Sequence, residues 1–464
     1  MQRPPSLSAI RSVCPRTKVP ILILAAVWVS VVPRSSLLAA EPTPPPIVTP
    51  PLVQQYVDWA RTNNPGLRAA QARSESARLA IGAIKKWEDP IAKVGGVGSS
   101  SRGSQLREDG DLMYGAEQKL PLFGKYKARA EVAEREWTLA QKTADYQFQI
   151  LRREVAKALF RAALSASRIQ GAQEDLSELE IWSNVAEQRY TSGGGSQIEV
   201  LRLKTETSKL RETLKTRRLQ LRQEQGSLNR ILARDPQAPL SDLALPDVFS
   251  DLPYSTALAD VAVRYEPKLQ MLQQEVTIAE SRVEVARSDQ KPEIAAGVEG
   301  RHYSGDGGFR VGSFTLAMSL PWFNAEKNRK NIGKEKARVD AAHWEAVDYE
   351  LAIREEVHRL TTMANTARRE ALLYQEEVIP RARLIIQTAS SAWMANRGQF
   401  TELIEGRRML VEARQLRLQG IAEQYLSLSE LVLCCGLSDL EALDMFRDLS
   451  PSTPTATPST PKQP

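Results

Sequence analysis

Few residues in this chain of 464 have types and spacings suited to chemistry. The three histidines, His302, His343 and His358, stand singly among charged neighbours, and no Cys/His spacing typical of a metal site surrounds them. Solvated positions on charged helices suit them. Adjacent Cys434 and Cys435 would close a strained ring if they bridged, so no disulfide framework follows. The triplet Gly193, Gly194 and Gly195 lies between two helical stretches, where it makes a turn and not a phosphate-cradling strand-to-helix loop. Glu402 and Glu405 are a carboxylate pair three residues apart, just after a turn around Asn396, Arg397 and Gly398. A helix start favours such carboxylates through its dipole alone. No enzyme constellation, cofactor site or metal site emerges, so function has to come from the elements that carry these residues.

Composition narrows the classes further. Lys and Arg number 62 against 56 Asp and Glu, a formal charge of +6, but the excess is confined to one place. Arg3, Arg11, Arg16, Lys18 and Arg34 fall in the first forty positions, which hold no acid, and from Glu41 onward the balance is 57 to 56. A basic nucleic-acid-binding surface is therefore not expected. The mean hydropathy of −0.35 is too polar for a bundle of membrane-spanning helices. The basic start, the apolar run Val19 to Val32 and the LLAA before Glu41 have the three-part layout of a signal peptide over 1–40, cleaved after Ala40. The run is shorter than the roughly 20 apolar residues that an uncleaved spanning anchor needs. Cys14 precedes the run and no Cys lies just after it, which argues against a lipid-anchoring cleavage.

Proline placement exposes the architecture. Of 27 prolines, five fall in the leader, six in 41–51 and five from Pro451 to Pro464. The segment 41–51 reads as a Pro-rich linker and 441–464 as a disordered Pro/Ser/Thr-rich tail. Among the rest, Pro65, Pro90 and Pro121 match Pro267, Pro292 and Pro321 in context (NPGL and EPKL, EDP and QKP, LPLF and LPWF), at offsets of 202, 202 and 200. Tyr190 to Leu201 (YTSGGGSQIEVL) then matches Trp393 to Ile404 (WMANRGQFTELI) at offset 203. Four anchors at a nearly constant offset imply an internal duplication, with repeats at 52–235 and 254–440 joined by a linker at 236–253.

Each repeat reads alike. A helical stretch leads to a β-hairpin, at 91–120 in the first half and 293–320 in the second. A long helical hairpin follows, at 124–233 and 324–436. Phe314, Leu316, Met318 and Leu320 alternate with Ser313, Thr315, Ala317 and Ser319, the pattern of a strand with one apolar face. Such a strand of about ten residues can cross a bilayer when tilted, or can bury one face in a soluble hairpin. Small and apolar residues at alternating steps of three and four (Ala130, Ala133, Trp137, Ala140, Ala144) form a coiled-coil seam that runs unbroken by proline to Tyr190. At 1.5 Å per residue that helix is on the order of 100 Å long, and it must lie against others of similar length. Cys435 falls on the seam of the last helix, a packing position. Pro380 is the one breaker within these helices, where a kink or unwinding is expected.

Taken together, EQKLPLFGKYKAR (Glu117 to Arg129), MSLPWFNAEKNR (Met318 to Arg329), RYTSGGGSQIEVL and WMANRGQFTELIE resemble the strand-to-helix junctions and helix-hairpin tips of the TolC-like outer-membrane efflux proteins. The resemblance covers about Leu52 to Leu437, and the GK after LPLF is similar to the heavy-metal branch. It implies a mostly α fold with a small β part. Three protomers would form an α-barrel of long coiled-coil helices, with four strands each in one shared 12-stranded transmembrane β-barrel. It further implies an outer-membrane exit duct reaching into the periplasm, with a periplasmic adaptor and an inner-membrane pump as partners, outer-membrane lipid around the barrel, and neither cofactor nor enzymatic activity. Glu402 and Glu405 match the family's acidic aperture positions. Trp393 matches its aromatic lock, and the lock's usual basic partner falls at Gly398 with Arg397 one residue earlier. Arg189, Tyr190, Gly194, Gly195, Glu199 and Gly398 become adaptor-contacting tip residues, and Pro121, Gly124, Pro321 and Asn324 mark the junctions. An exported periplasmic coiled-coil scaffold is the competing reading. It has no use for matched ten-residue strands in both halves.

Overall fold

The computed structural model describes residues 45–84, 87–98, 110–303 and 309–446, all within the unit Pro45–Pro464. Residues 1–44, which include the expected signal peptide, and residues 85–86, 99–109, 304–308 and 447–464 lie outside the described residues. The fold is mostly helical with one small antiparallel sheet.

Helices α1 (Pro50–Asn63) and α2 (Pro65–Ile84) precede strands β1 (Ile91–Gly98) and β2 (Gly110–Leu120). Helices α3 (Lys125–Thr191) and α4 (Gln197–Ile231) form a long hairpin. The order then recurs: α5 (Thr256–Tyr265), α6 (Pro267–Ser288), β3 (Ile294–Tyr303), β4 (Phe309–Met318), a 3-10 turn Pro321–Asn324 and α7 (Ala325–Leu373). A π turn, Tyr374–Val378, joins α7 to α8 (Ile379–Met394), and α9 (Phe400–Cys434) returns alongside them. Pro65 and Pro267 each open a helix, where a missing N–H costs nothing. The residue before each proline caps that helix: Asn64 accepts from the Leu67 N–H at 3.1 Å and Glu266 from the Leu269 N–H at 2.6 Å.

The sheet runs β1-β2-β3-β4, all antiparallel, so β1 and β4 are both free edges. Beyond it, α3 runs 67 residues without interruption, about 100 Å. The sequence places the break in the second half at Pro380; the structure widens the helix into the π turn one turn earlier, ending where Ile379 N–H bonds to Tyr374 O. The largest core lies midway along the helices. There Phe160 stacks on Tyr425 at 4.8 Å, and α1, α3, α4 and α9 pack around them. Cys434 and Cys435 are both buried and unbridged.

In each of two segments expected to be solvated, the described residues bury one apolar side chain. In the Pro-rich stretch, the Val48 N–H donates to Ala244 O at 3.0 Å and Val48 is buried, while Pro50 and Pro51 start α1. Past 440, Glu441–Phe446 forms a 3-10 helix that buries Leu443 beside α5, α7 and α9. Proline composition reads as disorder only where no apolar residue finds a groove, and Val48 and Leu443 both do. The connection 236–253 is likewise tied down: Gln424 accepts from the Phe249 N–H and donates to its carbonyl, both at 3.0 Å.

Candidate functional site: two helical turns and an uncovered sheet

The turns that end α3 and α8 are built to one plan. Gly193 and Asn396 both adopt positive φ (78° and 57°), the left-handed cap that Gly and Asn tolerate best. Gly193 N–H reaches Tyr190 O and Asn396 N–H reaches Trp393 O, both at 3.1 Å. Gly194 N–H reaches Arg189 O at 2.9 Å, and Arg397 N–H reaches Ala392 O at 2.8 Å. A Cβ on Gly195 would sit 3.0–3.2 Å from Arg189 and Tyr190, and one on Gly398 2.8–3.2 Å from Ala392 and Trp393. Both positions therefore require glycine for the close return of the chain.

The side chains break this symmetry. Tyr190 is 47% exposed, whereas Trp393, its match, is 1% exposed. Trp393 lies in a cluster with Leu179, Ala186, Val200, Leu203 and Phe400, so the two hairpin ends share one core. Its indole N–H donates to Glu199 Oε2 at 3.2 Å, and the Arg189 guanidinium covers its ring with the Cζ 4.4 Å from the centroid. Arg189 also donates to Asn396 Oδ1 and, at 3.3 Å, to Gly194 O. Arg189 and Glu199, read from the sequence as adaptor contacts, are thus brought onto Trp393. Arg397 is exposed and is not placed over it. Glu402 and Glu405 are exposed in the first turns of α9.

Below the turns, two further ties join the hairpins. Arg408 of α9 pairs with Glu206 of α4 at 3.1 Å, and Arg414 of α9 pairs with Asp175 of α3 at 2.9 Å. Asp175 is buried, and loss of water raises its carboxyl above the ordinary range against the pull of Arg414 and Arg407. Sequence reasoning missed both pairs, since nothing local marks residues some 200 positions apart as partners.

The second feature is the sheet. In register, Val94 faces Tyr114, Val298 faces Phe314 and Ala296 faces Leu316, which gathers the apolar side chains on one face. That face has no cover: Val94 is 78%, Phe314 72% and Leu316 64% exposed. The opposite face is polar, with Lys93 paired to Glu117 and 3.9 Å from Glu299. At the end of the sheet nearest the helices, Gly124 caps α3 with φ 77°, whereas Asn324 caps α7 from a 3-10 turn opened by Pro321. Pro121, following β2, belongs to the corresponding junction of the first half.

Among the described residues, no group of three or more His, Cys, Asp or Glu side chains could hold a metal ion, and no helix is long and apolar enough to cross a membrane. The groove between α4 and α9, lined by Ile198, Arg202, Glu206 and Glu405, opens beside the turns.

The model of the outer membrane efflux protein family matches residues 57–234 and 258–431. The outer membrane protein OprJ of Pseudomonas aeruginosa is 24% identical over 314 residues, 62% of this chain, and the chain spans 64% of that relative's length. Among solved structures, CusC superposes with a TM-score of 0.74 at 17% identity, over 85% of this chain and 94% of that one. The outer-membrane channel OprN superposes with a TM-score of 0.72 at 18% identity, over 84% and 90%. The CmeC outer membrane channel of Campylobacter jejuni gives 0.70 at 14% identity, over 90% and 94%.

Proposed function

Because the chain belongs to the outer membrane efflux protein family, we propose that it is a passive exit duct in the outer membrane, extending into the periplasm and receiving substrate from an inner-membrane pump through a periplasmic adaptor. The observation that carries this reading is the sheet. Four strands with two free edges and one bare apolar face cannot stand alone in water or lipid. Strands of three identical copies, four from each, would close a 12-stranded barrel whose apolar face meets lipid and whose polar face lines the lumen. The helices below would then form the wall of a tunnel. The matched turns, Gly193 with Asn396 and Gly195 with Gly398, support an origin by internal duplication.

The aperture lies at the turns. Six carboxylates, Glu402 and Glu405 from three protomers, would surround one constriction, attract cations and repel each other. Trp393 would be held in the closed position by Arg189 and Glu199, with Arg397 at the rim. Tyr190, Gly194, Gly195 and Gly398 would shape the surface that an adaptor meets, and Pro121, Gly124, Pro321 and Asn324 would turn each strand into its helix. Exit through such a duct needs no cofactor, since the pump supplies the driving energy. A periplasmic coiled-coil scaffold would leave the apolar sheet face unexplained.

Planar-bilayer recording tests the proposal. Purified oligomer should add discrete conductance steps that grow when the aperture is loosened. Protein that integrates into the bilayer and never conducts, in any aperture variant, would refute the duct.

A further inference from the structure

We propose that the strand-to-helix junctions bind anionic phospholipid headgroups in the leaflet nearer the helices, an inference that rests on the barrel reading above. Strands β2, β3 and β4 end together, Leu120 in register with Ile294 and Ile294 with Met318, and β1 begins nearby at Ile91 opposite Glu117. At that end the bare apolar face runs directly into exposed Leu122, Phe123, Trp322 and Phe323. Aromatic side chains at this level are the usual boundary between hydrocarbon and headgroups.

Charge follows immediately. Four basic residues here are matched by acids: Lys119 by Glu88 at 3.0 Å, Lys125 by Glu293 at 3.2 Å, Arg129 by Asp289 at 3.5 Å and Lys330 by Glu326 at 2.8 Å. Lys127, Lys291, Lys327 and Arg329 are exposed beyond these pairs, with Asp89 the exposed acid nearby. Lys291 donates to Phe123 O at 3.1 Å, which sets an ammonium at the level of the aromatic row.

The occupant is lipid because Lys291, bonded to Phe123 O, ties the basic residues to the aromatic row in which the bare apolar face ends. It is an anionic lipid because the charge left over is positive. The headgroup phosphate would sit among the ammonium groups while its acyl chains run up the sheet past Phe123 and Trp322. The opposite leaflet is reached at the other end of the strands, so the preference belongs to one leaflet only.

The test uses the full oligomer reconstituted in phosphatidylcholine vesicles with and without phosphatidylglycerol, followed by detergent extraction and native mass spectrometry of retained lipid. The wild type should retain phosphatidylglycerol over phosphatidylcholine about fivefold or more. The combined variant Lys127→Gln, Lys291→Gln, Lys327→Gln and Arg329→Gln, which keeps the aromatic rows, should insert equally and retain both lipids alike. High salt should erase the wild-type preference, an outcome that does not depend on the variant folding. Equal retention by the wild type, a preference that survives in the variant, or one indifferent to salt would overturn the inference while leaving the duct intact. Failure of the wild type to enter vesicles of either composition would overturn the barrel reading and this inference together.

Discussion

The Arg189 guanidinium lies 4.4 Å over the ring of Trp393, while the indole N–H of the same tryptophan is held by Glu199 at 3.2 Å. One residue of the second hairpin is thus gripped by two from the first. Removing the tryptophan empties a fully buried site, at a local cost of about 3–5 kcal/mol, and removing the arginine forfeits about 0.5–2 kcal/mol. Trp393→Ala and Arg189→Ala should each raise the open fraction in single-channel recordings, Trp393→Ala more. The double variant should gain less than the sum of the two, because both break one contact. Strict additivity would mean that the pair does not act as a unit.

Glu402 and Glu405 are exposed and converge only if three copies meet. Replacing both with Ala should lower cation preference and weaken block by divalent cations, with Glu402→Gln and Glu405→Gln behaving similarly. Selectivity measured from reversal potentials in a salt gradient decides the matter, and unchanged values would remove these residues from the aperture.

Phe314 and Ser313 are sequence neighbours on opposite faces of β4. Phe314→Lys places a charge on the bare apolar face and should cost about 2–4 kcal/mol near the bilayer midplane. Ser313→Lys faces Glu299 in register and should be tolerated. The yield of heat-resistant oligomer in the membrane fraction reads the difference. Equal loss for both would contradict the assignment of faces.

Glu266 predicts a pH dependence. Burial at the start of α6 raises its carboxyl above the ordinary range, against the opposing hydrogen bonds from Leu269 N–H and Tyr349 OH. A raised folded value means that the neutral form is favoured in the fold. Its contribution is therefore full below the unfolded pKa near 4.5 and is lost as pH rises through the folded value. The thermal stability of the wild type should fall over that rise relative to Glu266→Gln, which keeps an acceptor for the cap. A constant gap between the two across pH 4 to 8 (about four units) would show that Glu266 does not titrate there.

Much of this was readable in the residues. The strands sit beside Pro90, Pro121, Pro292 and Pro321, and the turns at the Gly and Asn positions, because proline and left-handed caps act through local backbone sterics. The alternation around Phe314 was equally plain, although alternation alone could not say whether the apolar face is buried; the bare face at Val94 and Leu316 decides that. Tertiary relations were not legible. Nothing local distinguishes Tyr190 from Trp393, yet one is exposed and the other sealed, and Arg189 rather than Arg397 supplies the cation. Val48 and Leu443 show the complementary failure, where a Pro-rich context hid a single apolar anchor.

The central claim is that this chain is completed by its own copies in the outer membrane. Fractionation followed by mass measurement of the extracted complex tests it most directly. The protein should stay in the outer-membrane fraction through a high-salt wash, need detergent for release and emerge as a heat-resistant assembly of three chains. A monomer washed free by salt would contradict it.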